Sequence, residues 1–181
     1  MIRPLLTLGL LGTGGVLLAM APPLGSVTLG DGTVAFNRPP LLLGASASHI
    51  TIRFPVSTYS FEFDIRPDAG EPLGQVRISQ DSGPEQIVLV PEATTAYLAG
   101  RPRQGVPVTA TYDSQTGDLI ATFNPPIPPG NRLTLALEPR QNPSTAATYL
   151  FGVTVYPAGA RSLGQFIGYG RLLFYGDFGD H

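Results

Sequence analysis

The stretch Tyr59-Ser60-Phe61-Glu62-Phe63-Asp64-Ile65-Arg66 decides the fold class. Large apolar side chains alternate one for one with polar or charged ones. An amphipathic helix would need apolar residues three or four apart. Strict alternation instead places Tyr59, Phe61, Phe63 and Ile65 on one face of a strand and Ser60, Glu62, Asp64 and Arg66 on the other. One face belongs in a core and the other in water.

The same pattern recurs outward from this segment. Leu133, Leu135 and Leu137 alternate with Arg132, Thr134, Ala136 and Glu138, and Ile50, Ile52 and Phe54 alternate with Thr51 and Arg53. Further strands are predicted near Val76–Ser79, Ile87–Val90, Val106–Tyr112, Leu119–Phe123, Tyr149–Tyr156 and Gln165–Tyr175. The run Asp113-Ser114-Gln115-Thr116-Gly117-Asp118 is turn chemistry, so 106–123 reads as a hairpin. Pro107 has no N–H to donate and marks its strand as an edge or a strand start. A short helix is expected around Ala69–Leu73 or Glu92–Leu98. Asn124-Pro125-Pro126-Ile127-Pro128-Pro129-Gly130 reads as a stiff connection between strands. About nine short strands punctuated by Gly and Pro predict an all-β chain. The expected form is an antiparallel β-sandwich, immunoglobulin-like or similar, in one domain over 22–181.

Composition narrows the chemistry. The chain has 181 residues, no Cys, no Trp, and eleven basic residues that are all Arg. A disulfide framework, a thiol nucleophile and a Cys-based metal centre are therefore excluded. A net charge of −2 offers no footprint for nucleic acid. At the N-terminus, Arg3 precedes an apolar run from Leu5 to Leu18 and the small-x-small triplet Ala19-Met20-Ala21. This has the three parts of a secretory signal over 1–21, and its core is shorter than the roughly 20 residues a membrane helix needs. An uncleaved anchor is the alternative, in which case this segment alone would touch a membrane.

The candidate binding residues lie near the C-terminus. If 164–175 is a strand, Phe166, Gly168, Gly170, Leu172 and Phe174 share a face, and Tyr169, Arg171 and Tyr175 share the other. Gly168 and Gly170 side by side would leave a trough, and Tyr169, Arg171 and Tyr175 are good contact residues for sugars or partner chains. The plainer reading fills the trough with an aromatic from the facing sheet, with Tyr149 and Phe151 at hand. Asp64, Asp68 and Glu71 surround a turn and form a candidate calcium cluster, with Arg66 competing for their charge. Glu62 and Asp64, about 7 Å apart on one strand face, have the spacing of an inverting carboxylate pair. Outward carboxylates on a strand are also commonplace on a solvated face. The histidines are only His49 and the terminal His181, too few for a Ser-His-Asp machine without distant help. Asp177-Phe178-Gly179 spells a kinase motif in a chain with no lysine.

Several blocks are longer and more specific. They are Thr122-Phe123-Asn124-Pro125-Pro126-Ile127-Pro128-Pro129-Gly130, Pro139-Arg140-Gln141-Asn142-Pro143, Tyr149-Leu150-Phe151-Gly152-Val153-Thr154, Tyr156-Pro157-Ala158-Gly159 and Gly164-Gln165-Phe166-Ile167-Gly168-Tyr169-Gly170-Arg171. With Leu29-Gly30-Asp31-Gly32-Thr33 and Ala69-Gly70-Glu71-Pro72-Leu73, they resemble a family of secreted cyanobacterial proteins catalogued as domain of unknown function 2808. The resemblance runs over roughly 27–175. It implies export and a cyanobacterial origin, and it brings no activity and no catalytic residues. The expected role is an exported, non-catalytic protein of the periplasm or cell exterior that binds an envelope glycan or a protein partner, without a cofactor. The alternatives are a fibre or sheath subunit joined through edge strands and a carbohydrate-active hydrolase working through Glu62 and Asp64.

Overall fold

Tyr59, Phe61, Phe63 and Ile65 are all fully buried in the computed structural model, which describes residues 27–28, 30, 32–100 and 104–176. Among these there are twelve strands and no helix. In chain order they are β1 (Val27–Thr28), β2 (Val34–Ala35), β3 (Leu41–Ala47), β4 (Tyr59–Ile65), β5 (Leu73–Ser82), β6 (Leu89–Leu98), β7 (Gln104–Val106), β8 (Val108–Asp113), β9 (Asp118–Ile127), β10 (Asn131–Pro139), β11 (Thr148–Pro157) and β12 (Gln165–Leu173). Ten of them form two five-stranded antiparallel sheets, sheet I in the order β3-β4-β10-β6-β7 and sheet II in the order β12-β11-β5-β9-β8. The short β1–β2 ladder stands apart from both.

The two sheets face each other across one apolar core. Sheet I contributes Tyr59, Phe61, Phe63, Leu133, Leu135 and Leu137; sheet II contributes Val76, Ile78, Leu119, Ala121, Phe151, Val153 and Val155. Burying a Leu or Phe side chain is worth about 1.5–3 kcal/mol, so this interior is the main source of stability. Aromatic rings lock its centre: Phe61 meets Phe151 edge-on at 6.0 Å, and Tyr149 meets Phe174 edge-on at 5.6 Å. Along the margins, β12 packs against β3 and β8 packs against β6. The antiparallel sandwich expected from the alternation is the fold observed.

Details differ from the sequence reading. Leu41–Ala47 forms β3 although its residues do not alternate; a bulge at Leu43 breaks its register with β4. Ile50–Phe54 is a loop, not a strand. Arg53 adopts φ +56, the His49 ring stacks on Phe54 at 3.9 Å, and Asn142 holds the loop from below. Neither expected helix forms. Glu92–Leu98 lies in β6, where the ladder to β10 captures it. Ala69-Gly70 follows a turn over Arg66–Ala69 that the Ala69 N–H closes on the Arg66 carbonyl, and Leu73 opens β5.

The predicted strand 106–112 is two strands in different sheets. Pro107 is the crossing point between β7, an edge of sheet I, and β8, an edge of sheet II. The hairpin from β8 to β9 forms as predicted, with Gly117 at φ +77 in its turn. The Pro-rich connection extends β9 to Ile127, with Pro125 and Pro126 where β5 and β9 lose register. Segment 1–21, expected to be a secretory signal, and Asp177-Phe178-Gly179 with His181 lie outside the described residues.

Glu85 joins two loops. Its carboxylate accepts hydrogen bonds from Ser144 Oγ (2.9 Å), the Thr145 N–H (2.7 Å) and the Tyr149 hydroxyl (3.3 Å). Burial alone would raise its pKa, but the donors from Ser144 and Thr145 outweigh it and hold the carboxyl below its usual range. Burial, with Glu85 close by, pushes the Tyr149 phenol up to about 12. A depressed carboxylate stabilises the fold above its unfolded pKa of about 4.3, and that contribution is lost as pH falls through the lower folded value. Glu85→Gln should therefore destabilise the protein at pH 7 and lose that effect as pH falls below about 4. Urea midpoints at pH 7, 4 and 3 check this; a pH-independent gap between variant and wild type contradicts it. Asp68→Asn should show a pH dependence of the same sign, since Arg66 and Arg38 lower that carboxyl as well.

Candidate functional site

The outward face of sheet II is where the C-terminal candidates meet the rest of the chain. On β11, Tyr149, Phe151, Val153 and Val155 point into the core, which turns Leu150, Gly152, Thr154 and Tyr156 outward. The ladders align these with neighbours on both sides. Gly152 stands between Tyr169 of β12 and Ser79 of β5, and Thr154 stands between Phe166 and Arg77. Beyond Arg77 come Ile120 of β9 and Thr111 of β8; beyond Ser79 comes Asp118.

A bulge in β12 composes this face. Val153 pairs with Gly168 but Thr154 pairs with Phe166, so Ile167 is an extra residue. Gly168 takes φ +131 there, a conformation that costs glycine little. The bulge turns Ile167 toward the core and Phe166 outward, reversing the side predicted for Phe166. Phe166 (57% exposed) and Tyr169 (51% exposed) then touch as an edge-on pair, with ring centres 5.1 Å apart and planes at 67°. Their edges rest on Gly152, where an added Cβ would lie 3.5 and 3.6 Å from the two rings. Together with Arg77, Ser79, Asp81, Gly152 and Thr154 they line an open trough of about 270 Å³.

The five predicted residues divide. Tyr169 and Arg171 do point outward as read. Gly170 faces the core, where a Cβ would fall 2.5 Å from Phe61 and 2.9 Å from Ala45, so the inward space is filled. The filling aromatic is Phe61 of sheet I rather than Tyr149 or Phe151, which lie on β11 beside β12 in the same sheet. Tyr175 stands away from Tyr169. Its backbone is bonded to Ile50 and Ile52, and with Arg171, Ile50 and Ala47 it lines a separate groove between β3 and β12. Phe166, Arg77 and Gly152 escaped the sequence reading. The bulge hid the first, and the other two arrive by cross-strand register.

Arg77 is the trough's cation. It reaches Asp118 at 3.8 Å and Thr154 Oγ1 at 3.5 Å, both long, and its Nε is buried without a partner. A guanidinium has five N–H donors, so most of its hydrogen-bonding capacity is unspent.

The calcium candidates sit among arginines. Asp68 is bound by Arg38 at 3.2 Å and Arg66 at 3.1 Å, while Asp64 lies on β4 opposite Arg132. The two guanidiniums on Asp68 offset the negative charge an ion would need there. Among the described residues, no three His, Asp or Glu side chains gather closely enough to hold a metal. Glu62 and Asp64 do share the outward face of β4, with Glu62 opposite Thr134. His49 Nδ1 lies 3.1 Å from Ser48 Oγ, which already accepts the Thr58 N–H at 2.9 Å.

Among solved structures the chain is similar to collagen adhesin (CNA) from S. aureus (6% identity, 72% of this chain and 48% of that one, TM-score 0.43). It thus spans about half the length of that chain. It is also similar to an uncharacterised Nocardia farcinica protein described as having an immunoglobulin-like fold (13% identity, 72% and 96% covered, TM-score 0.46). A third is ACE19, the collagen-binding subdomain of the Enterococcus faecalis surface protein ACE (6% identity, 75% and 98% covered, TM-score 0.46). No curated protein matches the sequence. One protein family matches over residues 33–174, which takes in every strand from β2 to β12, and the chain belongs to that family, described as protein of unknown function (DUF2808).

Proposed function

We propose that this protein is an exported, non-catalytic binding module of the cell envelope or extracellular space, and that the outward face of sheet II is its contact surface. One observation carries the reading: Phe166 and Tyr169 are more than half exposed, packed on each other over Gly152, beside the underused guanidinium of Arg77. Apolar rings held in place on a rigid sheet lose little entropy on binding, and Tyr and Arg are favoured contact residues. Export is supported by Arg3, the Leu5–Leu18 run and Ala19-Met20-Ala21. The non-catalytic reading is supported by the state of the candidate catalytic groups. Ser48 is engaged by Thr58, the His49 ring stacks on Phe54, and no carboxylate hydrogen-bonds His49 among the described residues.

The test is retention of the purified chain on envelope fractions of the producing cell. Wild type should bind at least one fraction. Phe166→Ser with Tyr169→Ser should weaken that binding at least about tenfold, ~1.4 kcal/mol, with the melting temperature unchanged. Equal retention of the variant, or no retention of wild type, removes the proposal.

A further inference from the structure

We propose that the trough beside Phe166 and Tyr169 binds the pyranose rings of an uncharged polysaccharide. This rests on the binding-face reading above and adds the ligand's chemistry to it. The trough is amphipathic in cross-section. One wall is two aromatic rings, the floor is the Gly152 backbone with Thr154, and the opposite wall carries Ser79, Arg77 and Asp81. Its occupant must therefore present an apolar face and, at right angles to it, a rim of hydrogen-bonding groups. A pyranose ring does so: its axial C–H groups form a flat apolar face and its hydroxyls project around the edge. A lipid chain or an apolar side chain would strip water from Arg77 and Asp81 and give nothing back, and unpaired polar groups are costly to bury.

Charge selects among saccharides. Arg77 is the single cation lining the trough, Asp81 is its single lining carboxylate, and Asp118 lies beside Arg77 at 3.8 Å. The local balance is slightly negative, which disfavours a uronate, a sulfated sugar or a phosphate. Neutral hydroxyls around a sugar rim can donate to Asp81 and accept from Arg77, so both charges gain partners.

Geometry sets the extent. About 270 Å³ is just below the usual range of small-molecule pockets, which suits one or two rings at a time. The Phe166 and Tyr169 planes differ by 67°, so one ring offers its face to a sugar while the other closes the side. A third aromatic continues the line. Tyr156 is two residues beyond Thr154 on the same outward face, about 7 Å further along β11, and its ring lies over Gly164. A linear chain running from Tyr169 past Phe166 to Tyr156 is the ligand shape this face fits.

Calorimetric titration of the full chain with neutral hexasaccharides (β-1,4-glucan, α-1,4-glucan and β-1,4-mannan) and with hexagalacturonate tests this. At least one neutral oligosaccharide should bind, with hexagalacturonate at least tenfold weaker. Tyr169→Ala, Phe166→Ala and Arg77→Ala should each weaken the bound sugar about tenfold. Amide shifts in NMR spectra of the wild type should centre on Gly152, Thr154 and Tyr169, a readout independent of variant folding. Tighter binding of the uronate overturns the inference. So does the absence of neutral-sugar binding, and if envelope protein is then still retained through Phe166 and Tyr169, the binding-face reading survives alone. Loss of any Phe166- and Tyr169-dependent retention removes both.

Discussion

Asn142→Ala should lower stability by about 3–4 kcal/mol and the melting temperature by roughly 10 °C. Asn142 is fully buried, and its side chain makes three hydrogen bonds that no neighbour can replace. Its Nδ2 donates to the His49 carbonyl (2.9 Å) and the Thr51 carbonyl (2.8 Å), and its Oδ1 accepts from the Tyr59 hydroxyl (3.0 Å). Its own N–H donates to the Phe54 carbonyl at 2.9 Å. Truncation leaves a phenol and two carbonyls buried or half-buried without that partner, and each orphaned group costs about 1–3 kcal/mol before relaxation. Burial also drives the Tyr59 phenol far above its ordinary range, so it remains a donor at all accessible pH values. Tyr59→Phe should cost less, about 1 kcal/mol, because it removes donor and bond together. The double variant should be markedly less than additive, since both act through one bond. Urea unfolding of the four proteins measures this; a loss below 1 kcal/mol for Asn142→Ala contradicts the assignment.

Gly170→Val should cost about 3 kcal/mol, the upper part of the range for overfilling a packed core. A Cβ at this position would lie 2.5 Å from Phe61, whose ring is fully buried against Phe151 and has nowhere to retreat. The missing side chain is what lets β12 close onto sheet I beside Ala45. Shortening the obstacle should help, so Phe61→Leu should recover part of the loss in the Gly170→Val background while being destabilising on its own. Gly168→Ala is the contrast. No atom lies within 4 Å of its Cβ direction, but φ is +131, so the cost there is backbone strain of about 1 kcal/mol. Equal penalties at the two glycines would refute this division between space and conformation.

How much was legible in the sequence follows from which interactions are local. β4 and β10 were readable because each is inside sheet I: β4 buries every second residue, and β10 turns Leu133, Leu135 and Leu137 into the core. β3 was not, because its bulge at Leu43 and its place at a margin leave the pattern Leu-Leu-Leu-Gly-Ala-Ser-Ala without period. Glu92–Leu98 looked helical because Glu and Ala carry little strand preference; the strand preference of its Thr and Tyr and the ladder to β10 prevail. At the site, Tyr169 and Arg171 were legible as the polar phase of one strand. Phe166 was not, because one extra residue at Ile167 changes the phase. Arg77 comes from β5, brought to the trough through two ladders, and no window of sequence around Tyr169 contains it.

That extra residue acts on β12 as a single inserted base acts on a reading frame. Everything from Gly168 onward keeps its facing, and everything before it is inverted. The aromatic pair therefore depends on the bulge forming where it does. Pairing Ile167 with Thr154 in an unbulged β12 would send Phe166 inward and leave Tyr169 alone, while the core residues Gly170, Leu172 and Phe174 stayed in place; deleting Ile167 would instead keep Phe166 opposite Thr154 and outward. The placing of one bulge thus decides which side chains the outer surface presents, without rewriting the interior that makes the chain fold.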